Sequence, residues 1–280
     1  TGSYYTPPEV VGAMVRLVAE TLRSPERFGL SRGLASDKVT VADPAVGTGT
    51  FALGVLRHIA ETVEANEGEG AVPGAVNAAL NRLIAFEMQL GPFAVAQLRI
   101  LAEVKTLTRG ACTVAPRMFV TDTLGNPNIE EEWLPNTYAP IAESRRQANE
   151  IKKNEPITVV IGNPPYKDKA KGLGGWVEQE LLRRWLPPRD WGVGAHAKHL
   201  RNLYVYFWRW ATYKVFEHDP NADSGVVCFI TVAGFLNGDG FQGMRDYLRR
   251  HADEIWVIDC SPEGHQPDAD RAGAAADVPE

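Results

Sequence analysis

The ten residues ADPAVGTGTF, at positions 42–51, place an acidic residue and a proline just before two closely spaced glycines. An apolar run, VTVA at 39–42, leads into Asp43, and Gly47 and Gly49 then open a helical pattern. A strand, a glycine turn and a helix in this order are typical of α/β sheets that bind a nucleotide-like ligand at the carboxyl ends of their strands. The stretch therefore predicts such a site directly after the first strand.

Further apolar runs predict the rest of this sheet. They are short, rich in Val, Ile and Phe, and separated by helical patterns, as expected for buried parallel strands. The predicted strands after the first are LIAF (83–86), RMFVT (117–121), ITVVIG (157–162), GVVCFIT (225–231) and EIWVID (254–259).

The first four runs each lead directly into a polar residue. These residues are Asp43, Glu87, Asp122 and Asn163. Because the carboxyl ends of parallel strands meet at one edge of a sheet, we expect all four side chains to converge on one crevice.

The sequence predicts three helices beside these strands. The sequence Thr6-Pro7-Pro8-Glu9 predicts a capping box at the start of the first helix, with the Thr6 side chain as its cap. A polar helix is predicted around 141–152. The aromatic run LYVYFWRWATYKVF at 203–216 offers a base-stacking surface, but its helical spacing favours packing against the sheet.

Composition limits the class of protein. The 280 residues are 44% hydrophobic and 23% charged, as in a globular protein of one large or two small domains. Cys112, Cys228 and Cys260 are scattered, which argues against a disulfide framework or a zinc site and favours a reducing cytoplasm. No membrane span is predicted, because the most apolar helical run is short and carries two basic residues. No metal-ligand set is predicted either.

The charge is unevenly distributed. The net charge is −6, yet residues 163–214 carry ten Lys and Arg against four Asp and Glu. This excess favours a local phosphate-binding surface. A solvated basic face is the alternative.

The acidic residues distinguish between possible nucleotides. Gly47, Gly49 and Ala52 match the spacing of the dinucleotide-binding motif G-x-G-x-x-G/A. That motif also requires an acidic residue about 20 residues later, at the end of a strand. Glu87 lies forty residues after Gly47. A carboxylate at Asp43 would also repel a pyrophosphate, whereas it suits a ligand with an ammonium group. S-adenosylmethionine, which carries an amino group and a sulfonium, fits better than a redox cofactor.

The motifs resemble those of a known family. DPAVGTGTF (43–51), GNPPY (162–166) and SYYTPPEVV (3–11) are together similar to the gamma class of N6-adenine DNA methyltransferases, over about 3–259. AFEMQLGPFAVAQLRI (85–100) and IWVIDCSPEGHQP (255–267) most resemble type ISP restriction–modification enzymes and related phage-defence methyltransferases.

The resemblance implies a fold and its limits. The fold is a Rossmann-like, class I S-adenosylmethionine-dependent methyltransferase sheet, whose final hairpin strand is missing because no strand pattern follows Cys260. We expect a catalytic domain over 1–260 with a basic insertion at about 167–202. Residues 261–280 are predicted to be a disordered tail or a truncated end.

The resemblance also implies cofactor-binding residues. Thr6 would contact the methionine carboxylate, and Asp43 the methionine moiety. Glu87 would bind the ribose hydroxyls, and Asp122 the exocyclic amine of the cofactor. Asp122 could instead only make an Asx-turn. Met88 would pack on the adenine of the cofactor, and Thr123 would line the same ring. The implied set is Thr6, Asp43, Ala45, Val46, Gly47, Gly49, Glu87, Met88, Asp122 and Thr123.

The Asn-Pro-Pro-Tyr box carries the implied catalysis. The Asn163 side-chain oxygen and the Pro164 carbonyl would accept the two hydrogens of the adenine amine, and Pro164 and Pro165 hold that carbonyl in place. The ring face of Tyr166, without its hydroxyl, would stack on the flipped base. The partners implied are double-stranded DNA, a target-recognition domain, and helicase or nuclease modules in the same chain or complex.

Other functions stay open at this point. Cytosine C5 methylation requires a Pro-Cys pair, which none of the three cysteines forms. The same box also occurs in methyltransferases of protein glutamine and of RNA guanine. A catalytically inactive module that binds cofactor or DNA is a further alternative.

Overall fold

The computed structural model describes residues 6–129, 139–220 and 224–260. Its contacts divide these residues into two units. The sheet unit contains the described parts of Thr1–Leu181 and Arg201–Ile230, and the second unit those of Leu182–Leu200 and Thr231–Glu280. The predicted catalytic domain over 1–260 stays a prediction.

A five-stranded parallel sheet forms the centre of the sheet unit. Its order is β3-β2-β1-β4-β5, and all neighbouring strands are parallel. The strands are β1 (Val41–Asp43), β2 (Leu83–Glu87), β3 (Arg117–Val120), β4 (Val159–Gly162) and β5 (Val226–Phe229). The first five predicted strands and the α/β fold class are confirmed.

Helices connect these strands and cover both faces of the sheet, as parallel topology requires. Those of the sheet unit are α1 (Pro8–Arg23), α2 (Thr50–Glu67), α3 (Val72–Leu80), α4 (Leu90–Leu107), α5 (Ala139–Asn154) and α6 (Leu203–Phe216). The second unit contains α7 (Gly234–Asn237) and α8 (Gln242–His251). The polar helix predicted around 141–152 is confirmed as α5.

The aromatic helix α6 packs inside the sheet unit. Tyr204, Tyr206 and Trp210 are almost fully buried. The Trp210 ring contacts the ring of Phe86 on β2 edge-on, at a centroid distance of 6.1 Å. The prediction that this run packs against the sheet is confirmed, and the base-stacking alternative is wrong for these three side chains.

Two local predictions are wrong. The N-cap of α1 is Pro7, and no side chain caps this helix. Thr6 instead bonds to a residue far along the chain, which is described below. Residues 254–259 form no strand, and the Trp256 side chain is 57% exposed. An apolar run becomes a strand only where a neighbouring strand accepts its backbone hydrogen bonds, and the described residues provide none here.

The second unit contains residues 182–200 of the basic insertion. Trp185 is buried there, and its ring lies 5.8 Å from that of Tyr247 on α8. The predicted tail at 261–280 lies outside the described residues. Within the part of the chain that is described, no helix has the length and apolar character needed to cross a bilayer.

Candidate functional site

The polar residues that end β1 and β2, and those that follow β3 and β4, lie at one edge of the sheet. The strand register pairs Asp43 with Ala85 and Glu87 with Val120. Hydrogen bonds then connect the loops beyond these ends. The Gly47 N–H donates to Glu87 Oε2 at 3.0 Å, and the Thr123 hydroxyl donates to the Pro44 carbonyl at 2.5 Å. The structure therefore brings the ends of β1, β2 and β3 into one crevice.

Asp43 is buried at the centre of this edge, with 1% of its surface exposed. Its Oδ1 accepts the Ala45 N–H at 3.1 Å, while its Oδ2 has no hydrogen-bond partner among the described residues. Burial raises the pKa of Asp43 to about 7, opposed by the Ala45 hydrogen bond and assisted by the charge of Glu87. Asp43 Oδ2 is therefore a buried hydrogen-bond acceptor for which the described part of the chain supplies no donor.

The glycine loop that follows β1 packs closely against α4 at Gly49. Gly47 and Gly49 have φ values of 55° and 88°, in the left-handed region that favours glycine. A Cβ on Gly49 would lie 3.3 Å from Ala96 Cβ on α4. The loop therefore turns tightly into α2, and its backbone can approach a ligand closely. Val46 is buried and donates its N–H to the Phe86 carbonyl at 3.0 Å.

The end of β2 presents a carboxylate and a thioether. Glu87 accepts from Gly47 N–H and, through Oε1, from Gln89 N–H at 2.9 Å. Each carboxylate oxygen can accept a second hydrogen bond, so Glu87 can still bind hydroxyl groups. Met88 is 65% exposed, and its predicted packing on the adenine stays a prediction.

The end of β3 divides its roles between two residues. Asp122 is exposed, and its Oδ1 accepts the Leu124 N–H at 3.0 Å, so the Asx-turn alternative is present. Its Oδ2 lies on the exposed side chain and can accept from a ligand. Thr123 is buried and holds the loop after β3 against Pro44.

The end of β4 carries a chain of hydrogen bonds through Asn163. The Tyr166 hydroxyl donates to Asn163 Oδ1 at 2.5 Å, and Asn163 Nδ2 donates to Thr6 Oγ1 at 3.2 Å. The ring of Tyr166 lies 6.2 Å from that of Tyr204. Thr6 thus orients the amide of the box, and the Tyr166 hydroxyl occupies the oxygen predicted to bind substrate. The sequence interpretation included neither contact.

Asp43 and the Asn163 box are neighbours on β1 and β4. A Cβ on Gly162 would lie 2.9 Å from Asp43 Oδ1, so only glycine fits directly before Asn163. The first residue of the GNPPY motif therefore keeps the buried carboxylate and the box in contact. Across 6–129, 139–220 and 224–260, no group of three His, Cys, Asp or Glu side chains could hold a metal ion.

Comparisons with known proteins identify the family. The model of the N-6 DNA methylases matches residues 1–185, and that of the Eco57I restriction-modification methylases matches residues 121–264. The chain belongs to the N-6 DNA methylase family. The resemblance to N6-adenine DNA methyltransferases is confirmed. No curated protein matches the chain significantly.

Several solved structures share this N-6 DNA methylase fold. The ATP-dependent type ISP restriction-modification enzyme LlaBIII, bound to DNA, is 26% identical with a TM-score of 0.71 over 89% of this chain and 16% of that one. The type ISP enzyme LlaGI with a DNA substrate mimic is 23% identical, with a TM-score of 0.70 over 88% of this chain and 19% of that one. The DrdV–DNA complex is 23% identical, with a TM-score of 0.65 over 88% and 22%.

The chain thus spans about a fifth or less of the lengths of LlaBIII and LlaGI. The likeness confirms the class I methyltransferase fold and the predicted similarity to the type ISP branch. Asp43, Glu87, Asp122 and Asn163 lie at the predicted edge of the sheet, and their roles there stay predictions. Lys152, a buried lysine that donates to the Asp122 carbonyl, could not be predicted, because a lysine in a polar helix carries no signal of burial.

Proposed function

We propose that this chain transfers a methyl group from S-adenosylmethionine to the N6 atom of an adenine flipped out of double-stranded DNA. The reaction would be site-specific and would serve restriction–modification or phage defence. One observation carries the proposal: the buried carboxylate of Asp43, whose Oδ2 has no hydrogen-bond partner among the described residues, lies against Gly162, directly before Asn163. A site for an ammonium-bearing donor and an acceptor for a substrate amine are therefore adjacent.

The crevice fits the cofactor. Asp43 Oδ2 needs a donor, and the amino group of the methionine moiety would supply one. Glu87 has acceptor capacity for ribose hydroxyls, and Asp122 for the exocyclic amine of the cofactor's adenine. The remaining proposed contacts are Thr6, Ala45, Val46, Gly47, Gly49, Met88 and Thr123. When bound, S-adenosylmethionine supplies an electrophilic sulfonium methyl.

The box would prepare the substrate amine. Adenine N6 is a weak nucleophile because its lone pair is conjugated into the ring. Asn163 Oδ1 and the Pro164 carbonyl would each accept one of its hydrogens and turn the lone pair toward the methyl group. Asn163 Oδ1 also accepts from the Tyr166 hydroxyl, so the incoming amine would either share this oxygen, which has two lone pairs, or displace that hydroxyl.

Tyr166 would also hold the flipped base by stacking, an interaction worth about 1–3 kcal/mol per base. Its ring is already supported by Tyr204, which is buried in α6. The stacking surface is therefore fixed before the base arrives.

The DNA backbone would be held near the box. Lys167, Lys169 and Lys171 follow Tyr166 directly and are exposed. LlaBIII was solved bound to DNA, and LlaGI with a DNA substrate mimic. We propose double-stranded DNA as the substrate here too, with target-recognition, helicase or nuclease modules in the same chain or complex. The three free cysteines support a reducing, cytoplasmic location.

The alternatives from the sequence are less well supported. Membership of the N-6 DNA methylases favours DNA over protein glutamine or RNA guanine. An inactive binding module would not need the hydrogen-bonded amide of Asn163 beside the Asp43 carboxylate, whose Oδ2 lacks a donor among the described residues.

Two measurements test the proposal. Calorimetry should show binding of S-adenosylmethionine or its demethylated product, S-adenosylhomocysteine, to the chain. Mass spectrometry of nucleosides, after DNA is incubated with the complete gene product and labelled cofactor, should show label in N6-methyladenine. Label in N4-methylcytosine, or only in RNA or protein, would contradict the assignment.

A further inference from the structure

Lys152 on α5 has a buried side-chain ammonium. The residue is 3% exposed. Its Nζ donates to the Asp122 carbonyl at 2.6 Å, to Thr121 Oγ1 at 3.1 Å and to Asn149 Oδ1 at 3.5 Å. An ammonium has three donors, and these three oxygens match them. The side chain is therefore held in one place.

A lysine here is not required to fill space. Removing a charge from water is unfavourable unless hydrogen bonds compensate for it, and an apolar side chain of similar length would avoid that cost. The next residue, Lys153, shows the ordinary arrangement: it is partly exposed and pairs with Glu150 at 2.5 Å. The position of Lys152 therefore calls for a role beyond the packing of α5.

The ammonium lies behind both acidic strand ends. Its Nζ is 5.6 Å from the centre of the Phe86 ring, directly before Glu87 on β2. Its shortest hydrogen bond reaches the backbone of Asp122 itself. Lys152 thus contacts β2, which ends at Glu87, and the residues directly after β3, which include Asp122.

A second buried lysine fixes the base of this arrangement. Lys214 on α6 donates from Nζ to the Lys152 and Glu155 carbonyls, each at 2.9 Å. These bonds hold the end of α5 in place, so the Lys152 side chain extends toward β3 from an anchored backbone.

We propose that Lys152 is a positioning residue that aims the Asp122 carboxylate, and that it thereby sets the preference of the site for a cofactor with a 6-amino purine. Holding the Asp122 carbonyl restricts the backbone on both sides of the residue and so directs its side chain. A carboxylate held in this way accepts a hydrogen bond from a 6-amino group and repels a 6-oxo group. This inference rests on the proposed cofactor site.

The test compares two ligands by calorimetry. S-adenosylhomocysteine carries the 6-amino group, and S-inosylhomocysteine carries a 6-oxo group in its place. The wild-type chain should bind the first roughly 10- to 100-fold more tightly. Lys152→Met should reduce this ratio to about threefold or less, mainly by weakening the adenosyl ligand. Lys153→Met is the matched control, and it should leave the ratio unchanged.

A double-mutant cycle separates positioning from general damage. Asp122→Ala removes the carboxylate and should abolish the preference. If Lys152 acts through Asp122, adding Lys152→Met to Asp122→Ala should change affinity for the adenosyl ligand by less than about twofold. Should Lys152→Met fail to fold by circular dichroism, Thr121→Val replaces it, since it removes one acceptor of the ammonium and preserves volume.

The possible failures are distinguishable. A wild-type chain that binds neither ligand would overturn the proposed cofactor site, and this inference with it. A wild-type preference that persists in Lys152→Met, or in Thr121→Val, would overturn the inference alone. The inference would also be overturned if Lys152→Met weakened binding of the adenosyl ligand as much in the Asp122→Ala background as in the wild type.

Discussion

Asp43 and Asn163 follow neighbouring parallel strands at one edge of the sheet, yet their side chains are in opposite states. Asp43 has a buried oxygen that finds no donor in the described part of the chain, whereas both polar atoms of the Asn163 amide have partners, Tyr166 and Thr6. The predicted cofactor side of the crevice thus keeps an unmet acceptor. On the predicted substrate side, both polar atoms of the Asn163 amide already have a hydrogen-bond partner, and a substrate amine would compete with Tyr166 for Oδ1 or use its second lone pair.

The two states have different pH behaviour. The pKa of Asp43 rises from 3.8 to about 7 on folding because the carboxylate is buried. Stability from this group is therefore fully present below pH 4 and is lost as the pH rises through about 7. A cationic ligand at Oδ2 would favour the charged form. The Asn163 amide does not titrate, so its contribution does not change with pH.

The largest expected effect is on turnover, at Asn163. Asn163→Ala removes one acceptor of the substrate amine, so methyl transfer should slow by about 10²–10³. Cofactor affinity should change much less than turnover, because Asn163 reaches the proposed cofactor side only through its hydrogen bond to Thr6. Single-turnover transfer by the complete gene product and calorimetry on the same variant check both statements. Wild-type turnover in this variant would remove Asn163 from catalysis.

The next effect is on cofactor affinity, at Asp43. Asp43→Asn keeps the shape but loses the charge, so affinity for the cofactor should fall roughly 10- to 100-fold, as for loss of a hydrogen bond to a charged group. The free variant should be more stable at pH 8, by up to about 4 kcal/mol, since it avoids a buried charge.

Urea unfolding of both proteins checks the stability change. The same comparison at pH 5 is the control, because Asp43 is largely protonated in the folded wild type there and the difference should shrink. A variant that is less stable than wild type at pH 8 would show that Asp43 is not strained by burial.

A smaller effect is the pH dependence of cofactor binding by the wild-type chain. Affinity should fall as the pH drops below about 7, approaching tenfold per unit, because the ligand must then displace a proton from Asp43. Calorimetric titrations between pH 5.5 and 7.5 measure this slope. Asp43→Asn should be flat over the same range, and equal slopes in the two proteins would assign the titration to another group.

The smallest effect concerns the Tyr166 hydroxyl. Tyr166→Phe keeps the ring but frees Asn163 Oδ1, so capture of the flipped base should strengthen by about 2- to 10-fold, the value of one ordinary hydrogen bond. If Tyr166 acted only by stacking through its ring, Tyr166→Phe would leave capture of the base unchanged. Fluorescence of 2-aminopurine at the target position reports the capture. Tyr166→Ala, which also removes the ring, should weaken it, and weaker capture by Tyr166→Phe would show that the hydroxyl assists binding.

Much of the carboxyl edge of the sheet could be predicted from local pattern. Short Val- and Ile-rich runs separated by helices allow few arrangements other than parallel strands. The residues directly after such runs must then lie at one edge. Asp43, Glu87, Asp122 and Asn163 were found in this way, and the left-handed turn at Gly47 and Gly49 follows from glycine itself.

The failures share a physical cause. EIWVID has the composition of a strand, but a strand also needs a hydrogen-bonded neighbour, which local sequence does not specify. Thr6 has the pattern of a helix cap, but its hydroxyl accepts from Asn163, 157 residues away.

The sequence by itself determined which residues stand at the strand ends, because alternation of strand and helix is a property of neighbouring residues. Only the tertiary structure decided what each side chain meets there. Among the described residues Asp43 Oδ2 finds no donor, the Asn163 amide is hydrogen-bonded, and the ammonium of Lys152 is buried against the Asp122 carbonyl. Burial and hydrogen-bond partners come from segments distant in the chain. The protonation of Asp43 and the direction of Asp122 therefore depend on how those segments pack.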